Sequence, residues 1–447
     1  MSPEDMTRRT FAFWGAVSLC SVMGLAGCQA GNGSDKGDEE SHRCPSLPDA
    51  GIAAGKPVWP VPFSGLRESL SLTGPWLFGT GPDHVIWLRD ARSGLLRWRT
   101  STGSAPNWDN GGQPHYPQLL TADGLVLFGG GNGDTTSEVL ALCASDGKTM
   151  WRRKVPGGPV FEIAGSGDLV AAATQSHIFG LSITTGEILW KAGAQQGRWM
   201  KTCDDTLILV NQLGRKFGAT GLDRRTGETL WSETISDTSH LDFRVDGDLV
   251  HVIGYRTTEQ KQDDGTTVMV GIPGKVRTVS TTTNQVVWAR TLPPLAGTSP
   301  LASNGLLHLT AGERLLALHG RSGKEVWSFP LPVPETNPQM LLHDDLLIAN
   351  FSAFDGSSSS VRGIDPKTGK EHWRQELGGI SGMLAGPSGL ALINTDARKV
   401  TAIDTAGGEI IWSTPMKGSV QIVAGDLIYA HDGEEISVYD VSTGNTL

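Results

Sequence analysis

The side chains that could do chemistry are five cysteines, eleven histidines and the acidic residues, and they are scattered along the chain. The sequence has no HExxH, CxxC, GxSxG or P-loop motif, whose spacings bring a metal, a thiol pair, a nucleophile or a phosphate to one place. Because His308 stands in a β-rich run, we expect a strand residue there. Aspartates recur in turn-like segments, at Asp223, Asp365, Asp404 and Asp440, where they are expected to bond turn backbone. The sequence therefore predicts no catalytic residue, no metal site and no enzyme.

One cysteine, Cys28, lies in a segment whose pattern indicates a covalent modification. The segment LAGC (Leu25–Cys28) ends the apolar run Phe11–Leu25, which is too short for a permanent membrane helix and fits a signal-peptide core. LAGC resembles a bacterial lipobox, in which the cysteine, here Cys28, is lipidated and becomes the new N-terminus. Arg8 and Arg9 resemble a twin-arginine export signal; the alternative is the positive start of a general secretion signal.

These features divide the chain into three parts. We expect a signal peptide over 1–27, a flexible lipidated tether rich in Gly, Ser and charge over 28–50, and a folded domain over 51–447. The protein is then exported and lipid-anchored to the cell membrane. In a Gram-negative cell Gln29, which is not Asp, favours the outer membrane or its periplasmic side. A net charge of −10 with no basic run outside the signal argues against nucleic acid as a partner.

Three cysteines remain after the signal and the lipidated residue are set aside: Cys44, Cys143 and Cys203. An odd number leaves at least one free thiol or one intermolecular bond. Cys143 and Cys203 lie in non-adjacent repeats, so we expect no bridge between them and burial as small apolar residues.

The elements that position all these residues come from a repeat. A Gly-x-x-x-Trp motif returns about every 40 residues, which is the signature of a repeat architecture. Its tryptophans are Trp98, Trp151, Trp190, Trp231, Trp327, Trp373 and Trp412, with a half copy at Trp59 and a degenerate copy at Trp288, where Asn284 replaces the glycine.

Each period contains two hairpins and no helical pattern. The second hairpin carries an Asp-x-x-Thr/Ser-Gly turn, in which glycine supplies a positive φ. A four-stranded antiparallel unit repeated in this way predicts an all-β fold, a single β-propeller. We count nine periods and expect eight or nine blades. An N-terminal strand, Gly55–Trp59, should close the ring by pairing with Ile436–Asp440, which leaves no open edge there.

The segment Asp-x-x-Thr-Gly-Lys/Glu-x-x-Trp resembles the tryptophan-docking motif of the PQQ-like (quinoprotein-type) β-propeller family, over Gly55 to Leu447. In that family the tryptophan wedges between neighbouring blades, so the resemblance implies a structural role for all nine. Its quinoprotein dehydrogenases use calcium and the quinone PQQ, held by carboxylate and amide ligands. They often have adjacent cysteines, a pair that this chain lacks. Other exported members serve as the accessory component of outer-membrane β-barrel assembly or as sensor domains.

We therefore expect a membrane-tethered, extracytoplasmic propeller that acts as a protein-interaction scaffold or as a ligand-binding or sensor module. Its partner would be another envelope protein or a small extracellular ligand. The alternative is a PQQ-dependent dehydrogenase, and only in that case do we expect PQQ and calcium as cofactors.

The topology indicates which face would bind. With strands A to D in each blade, the A–B and C–D turns lie on one face, and the B–C loops and D–A crossovers on the other. The expansions fall on the second face, at 104–118, 129–138, 256–268 and 352–360. The first carries Trp108, His115 and Tyr116, residue types that anchor interfaces. These three are the candidate partner-binding residues; alternatively, their loop only caps the ring.

Overall fold

The chain divides into two units, Met1–Arg43 and Cys44–Leu447. The computed structural model describes residues of the second unit only. They are residues 44, 58–62, 70–81, 85–102, 119–122, 124–131, 136–158, 160–193, 197–203, 205–213, 216–235, 238, 240–261, 267–294, 300–331, 338–352, 359–395, 398–432 and 434–447.

The strands of these residues form nine antiparallel sheets of four strands each. The closing strand is β1 (Val61–Pro62). Blades 1 to 3 contain β2 (Leu70–Thr73), β3 (Trp76–Gly81), β4 (Val85–Asp90), β5 (Leu96–Ser101); β6 (Leu119–Ala122), β7 (Leu125–Gly131), β8 (Thr136–Cys143), β9 (Thr149–Pro156); and β10 (Val160–Ser166), β11 (Leu169–Thr174), β12 (His177–Ser182), β13 (Ile188–Gly193).

Blades 4 to 6 contain β14 (Gly197–Cys203), β15 (Thr206–Leu213), β16 (Lys216–Asp223), β17 (Thr229–Ile235); β18 (His240–Asp246), β19 (Leu249–Lys261), β20 (Thr267–Ser280), β21 (Gln285–Pro294); and β22 (Leu301–Ser303), β23 (Leu306–Ala311), β24 (Arg314–His319), β25 (Glu325–Pro330). Blades 7 to 9 contain β26 (Met340–His343), β27 (Leu346–Ser352), β28 (Ser359–Ile364), β29 (Glu371–Leu377); β30 (Ile380–Ala385), β31 (Leu390–Thr395), β32 (Lys399–Asp404), β33 (Ile410–Pro415); and β34 (Ser419–Ala424), β35 (Leu427–His431), β36 (Glu435–Asp440).

The ring is closed as predicted, by an N-terminal strand in the ninth blade. The order of that sheet is β34-β35-β36-β1, with Val61 opposite Ile436. Among the described residues the pairing begins at Val61, just after the predicted segment, because Val58 and Trp59 are bonded to the turn of blade 1. The Val58 N–H donates to the carbonyl of Ser93. Nine blades and the N-terminal closing strand are thus confirmed, and residues 55–57 lie outside the described residues.

The repeated tryptophan joins each blade to the next. In eight blades its indole N–H donates, at 2.6–2.9 Å, to a carbonyl in the C–D turn of the following blade. The donor and acceptor pairs are Trp59–Arg92, Trp98–Ala144, Trp151–Ile183, Trp190–Arg224, Trp288–Gly320, Trp327–Pro366, Trp373–Thr405 and Trp412–Val441.

Glycine is needed in these turns for two reasons. In the eight turns that have it, φ is 63–75°, a region that side chains disfavour. The indole also lies against the Cα, so that a Cβ on any of these glycines would come within 2.5–2.9 Å of the ring. Each Gly-x-x-x-Trp motif therefore takes part in two contacts between blades. Its glycine packs against the tryptophan of the preceding blade, and its tryptophan packs against the turn of the following blade.

Blade 5 departs from this pattern. Asn284 takes the glycine position there with φ 55°, and its Oδ1 is buried without a hydrogen-bond partner among the described residues. The tryptophan that docks on this turn is Trp231 of blade 4. Its indole nitrogen is also buried and has no partner in the described part of the chain. The degenerate motif copy thus coincides with the one docking indole that lacks its hydrogen bond among these residues.

The inside and the outside of the ring are set by strand order. The first strands of successive blades contact one another, as β10 and β14 do, so they are innermost. Second and third strands such as β11 are buried on both faces. The fourth strands are outermost and expose most of their side chains, apart from the docking tryptophan.

Candidate functional site

The two faces of the ring differ in regularity. On the face of the C–D turns, which we call the turn face, the same contacts recur. Asp223, Asp365 and Asp440 each accept two backbone N–H groups of their own turn, and Asp404 accepts that of Gly407. The backbone N–H of Thr226 lowers the pKa of Asp223 in this way. These aspartates are turn caps, as the sequence predicted.

The opposite face, which we call the loop face, carries the largest departure from the repeat. In blade 5, β19 has 13 residues and β20 has 14, whereas the other second and third strands have five to eight. The sequence predicted a loop at 256–268, and this was wrong for the described residues of that range, 256–261 and 267–268, which are paired as strands. Register continues from Arg256 opposite Ile272 to Lys261 opposite Thr267, after an irregularity at Gly254.

This extension is a two-stranded ribbon, since the pairing of β20 with β21 ends at Pro273. Six residues beyond the blade correspond to roughly 20 Å at about 3.3 Å per residue. Backbone groups on both edges of the ribbon are not paired with any other described strand. Such edges are available for hydrogen bonding to a partner.

The candidate residues predicted from the sequence lie elsewhere. Trp108, His115 and Tyr116 belong to a D–A crossover, between β5 and β6, that lies outside the described residues. The same holds for Cys28, Arg8 and Arg9, so the roles of all six stay predictions. In the described part of the chain, no helix has the length and apolar character needed to cross a bilayer.

Two acidic side chains that no sequence motif marks lie on innermost strands, near the loop face. Glu162 is on β10 and burial raises its pKa to about 8, so the carboxyl is protonated at neutral pH. Asp242 is on β18, and burial raises its pKa as well. Arg244 opposes that shift by donating to Asp242, and its Nε donates to the carbonyl of Pro300. The two carboxyls belong to blades 3 and 5, with blade 4 between them.

Two buried histidines, His251 and His308, contribute to packing in the blades. His308 lies in β23, as predicted, and its Nε2 contacts the Pro366 carbonyl that also accepts the Trp327 indole. His251 contacts the Thr278 hydroxyl at 2.7 Å through Nδ1, and burial lowers its pKa to about 4. Both are therefore neutral packing residues at physiological pH.

A calcium-bound quinone would need several carboxylate and amide ligands at one point. Among the described residues, no group of three or more His, Cys, Asp or Glu could hold a metal ion. Glu162 and Asp242, the acidic residues of the inner wall, are on separate blades. The expectation that the protein uses no cofactor stays a prediction.

Nine four-stranded blades, a strand closing the ring and tryptophan docking between blades define a PQQ-like β-propeller. The family model described as "Outer membrane protein assembly factor BamB" matches residues 82–257, 220–358 and 357–447. The chain therefore belongs to this family, as its docking motif predicted. Among curated proteins, none is significantly similar in sequence.

Solved structures similar to this chain include BamB from Moraxella catarrhalis, at 15% identity and a TM-score of 0.48, covering 83% of this chain and 96% of that one. Another is the quinohemoprotein alcohol dehydrogenase ADHIIG from Pseudomonas putida HK5, at 14% identity and 0.45, covering 83% and 69%. A europium-containing methanol dehydrogenase has 12% identity and 0.45, covering 86% and 84%. Likeness at this level carries no argument about activity.

Proposed function

We propose that this protein is a non-catalytic scaffold of the bacterial envelope, and that its loop face binds another envelope protein. The family supports an interaction scaffold, because the family model is that of an assembly factor for outer-membrane proteins. The proposed partner is a component of the machinery that assembles those proteins. The lipid on Cys28, after export directed by Arg8 and Arg9, would hold the scaffold at the membrane where that partner works.

One observation carries the choice of face: variation is confined to one side of a regular ring. The turns of the opposite face are held in one geometry by glycine, by aspartate caps and by the docked tryptophans. Changing them would disturb contacts between blades. The loop face carries the blade 5 ribbon and the longest crossover, and neither is needed for ring closure. Binding residues are commonly placed on such loops of a rigid scaffold.

The ribbon and the aromatic loop offer different parts of an interface. The ribbon presents backbone donors and acceptors, which can pair with a partner strand. Trp108 and Tyr116 would supply the apolar anchors that carry most of the energy in interfaces of standard size. We propose that both contact the same partner.

The test is complementation in the source cell with the ribbon removed. Residues 257–271 are replaced by an Asn-Gly turn, which joins the paired residues Arg256 and Ile272 by a two-residue hairpin. Outer-membrane protein levels and co-purification with the assembly machinery are then measured. We expect both to fall at least tenfold, with the unfolding temperature of the variant unchanged. Trp108→Ala with Tyr116→Ala should act in the same direction.

The matched control is Lys370→Ala, an exposed change on the turn face, which should leave both readouts unchanged. If this change abolishes co-purification while the ribbon variant binds normally, the face has been assigned wrongly. The alternative function is tested separately, by adding PQQ and calcium to the purified protein with alcohols and an electron-accepting dye. Turnover there would replace the scaffold proposal with a dehydrogenase.

A further inference from the structure

Two of the three cysteines expected in the mature protein lie near each other. Cys44, the first residue of the ring unit, is a neighbour of Cys143, the last residue of β8, and the Cys143 thiol adds to the effect of burial in raising the pKa of Cys44. Cys44 also packs against the apolar cluster of blades 2 and 3, which includes Leu125, the residue paired with Cys143. Neither is bonded to another cysteine, and Cys203, on blade 4, is buried separately.

Cys143 is also an exception to the repeat. The equivalent residue begins every C–D turn, and in seven of the nine blades its side-chain oxygen accepts a backbone N–H of that turn. Those residues are Asp90, Ser182, Asp223, Ser280, Asp365, Asp404 and Asp440.

Blade 2 has a thiol instead. Its Sγ contacts the Ser145 hydroxyl at 3.2 Å, while Asp146 accepts the Lys148 N–H. The turn is therefore formed without a hydrogen bond from its backbone to the side chain at position 143, since the backbone bonds from Gly147 to Cys143 and from Cys143 to Lys148 are both present. A cysteine here is not required by the turn, and it lies near the second cysteine, Cys44.

We propose that Cys44 and Cys143 form a disulfide in the exported protein, which fixes the start of the ring unit to blade 2. The expectation that the bond forms in the cell rests on the proposed function, which places the protein in the envelope, because disulfides persist there and are rare in the cytoplasm. The proximity of the two cysteines does not rest on it.

The reaction is thiol–disulfide exchange with a protein dithiol oxidase of the envelope. One thiol loses a proton, and its thiolate attacks a sulfur of the oxidase disulfide, giving a mixed disulfide and one released oxidase thiolate. The second thiolate displaces the oxidase sulfur and forms the Cys44–Cys143 bond. Two protons and two electrons leave the chain, and the oxidase departs as a dithiol. Burial raises the pKa of Cys44 to about 12, so exchange is expected before Cys44 is packed.

The bond would have a mechanical consequence. Without it, a pull on the chain before Cys44 passes through residues 45–57 to Val58 and Trp59, which are bonded to the turn of blade 1, and then to the closing strand Val61–Pro62, which pairs with β36 at two positions among the described residues. With it, the same pull reaches blade 2, where β8 pairs along its length with β7 and β9. The disulfide would therefore protect ring closure in a membrane-tethered scaffold.

The test is peptide mapping of the full-length protein isolated from the envelope of its source cell. Free thiols are blocked with N-ethylmaleimide during lysis, and the protein is digested with trypsin without reductant. We expect a linked pair of peptides, 44–67 with 100–148, that separates when reductant is added. Cys203 should be alkylated. Cys203→Ala should retain the linked pair and Cys44→Ser should lose it, and reductant should lower the unfolding temperature of the wild type but not that of Cys44→Ser.

A second arm separates this inference from the proposed location. The purified chain is refolded in a buffer of reduced and oxidised glutathione and mapped again. A bond after refolding, with both thiols alkylated in the cellular protein, would support the pairing and contradict export to an oxidising compartment. If Cys44 and Cys143 are alkylated in both arms, or either is linked to another cysteine, the inference is overturned.

Discussion

Replacing Asn284 by glycine should stabilise the ring, because it restores the contact that the other turns make. Asn284 holds φ at 55°, and its Oδ1 and the Trp231 indole nitrogen are both buried without partners among the described residues. Relief of the left-handed backbone contributes up to about 1–2 kcal/mol, and removing the unpaired Oδ1 and satisfying the indole contribute about 1–3 kcal/mol. The entropy of glycine costs about 0.5–1 kcal/mol. The net gain expected is about 1–3 kcal/mol.

The assay is equilibrium unfolding in guanidinium chloride, followed by circular dichroism and compared with calorimetry. The matched control is Gly323→Asn, the reverse change in blade 6, where a Cβ would come within 2.6 Å of the Trp288 ring. Because that ring must move and lose its bond to Gly320, the control should lose about 2–4 kcal/mol. Unchanged or lower stability of Asn284→Gly, together with a tolerated Gly323→Asn, would refute the docking argument.

Three further predictions concern the docking tryptophans, the buried carboxyl of Glu162 and the export signal. Trp327→Ala should cost about 3–5 kcal/mol in the free energy of unfolding, since it removes a buried ring between blades; a loss well under 1 kcal/mol would mean that the residue is not a wedge. Because burial raises the pKa of Glu162 from 4.5 to about 8, its folded state stays protonated while the unfolded state ionises, so stability should fall as pH rises across that interval. Glu162→Gln should remove this part of the pH dependence, and an identical pH profile would count against a buried carboxyl. Cys28→Ser should release the protein from the membrane fraction or leave an unprocessed precursor, and Arg8→Lys with Arg9→Lys should block export, whereas normal export of the double variant would favour the general secretion pathway.

The fold could be predicted because each copy of the repeat contains the same turn and docking residues. A glycine with positive φ and a tryptophan four residues later describe a turn and its inter-blade contact, and many agreeing copies outweigh the ambiguity of any one. Even the exception was visible, since Asn284 marks the turn where the indole bond is missing. The closing strand was predicted from the half copy at Trp59, and among the described residues the pairing is made by Val61–Pro62, which follows that tryptophan.

The candidate site was harder to predict for two physical reasons. The first strand of the ribbon, 256–261, is polar and is followed closely by Asp263, Asp264 and Gly265, a sequence typical of a loop, so its periodicity does not predict a strand. The inner-wall carboxyls gave no signal either. Their raised pKa comes from the closeness of neighbouring blades, and sequence periodicity does not report which side chains a ring brings together. Glu162 and Asp242 could be found only once the strand order was known.

The most direct test of the scaffold account is site-specific photo-crosslinking in living cells. A photoreactive residue is placed at Lys261, at the tip of the ribbon on the loop face, and in a second strain at Lys370 on the turn face. Crosslinked products are quantified by mass spectrometry. We predict one dominant envelope-protein product from position 261, lost when Trp108 and Tyr116 are also replaced by alanine, and none above background from position 370. The same partner crosslinked from position 370 and not from 261 would contradict the account.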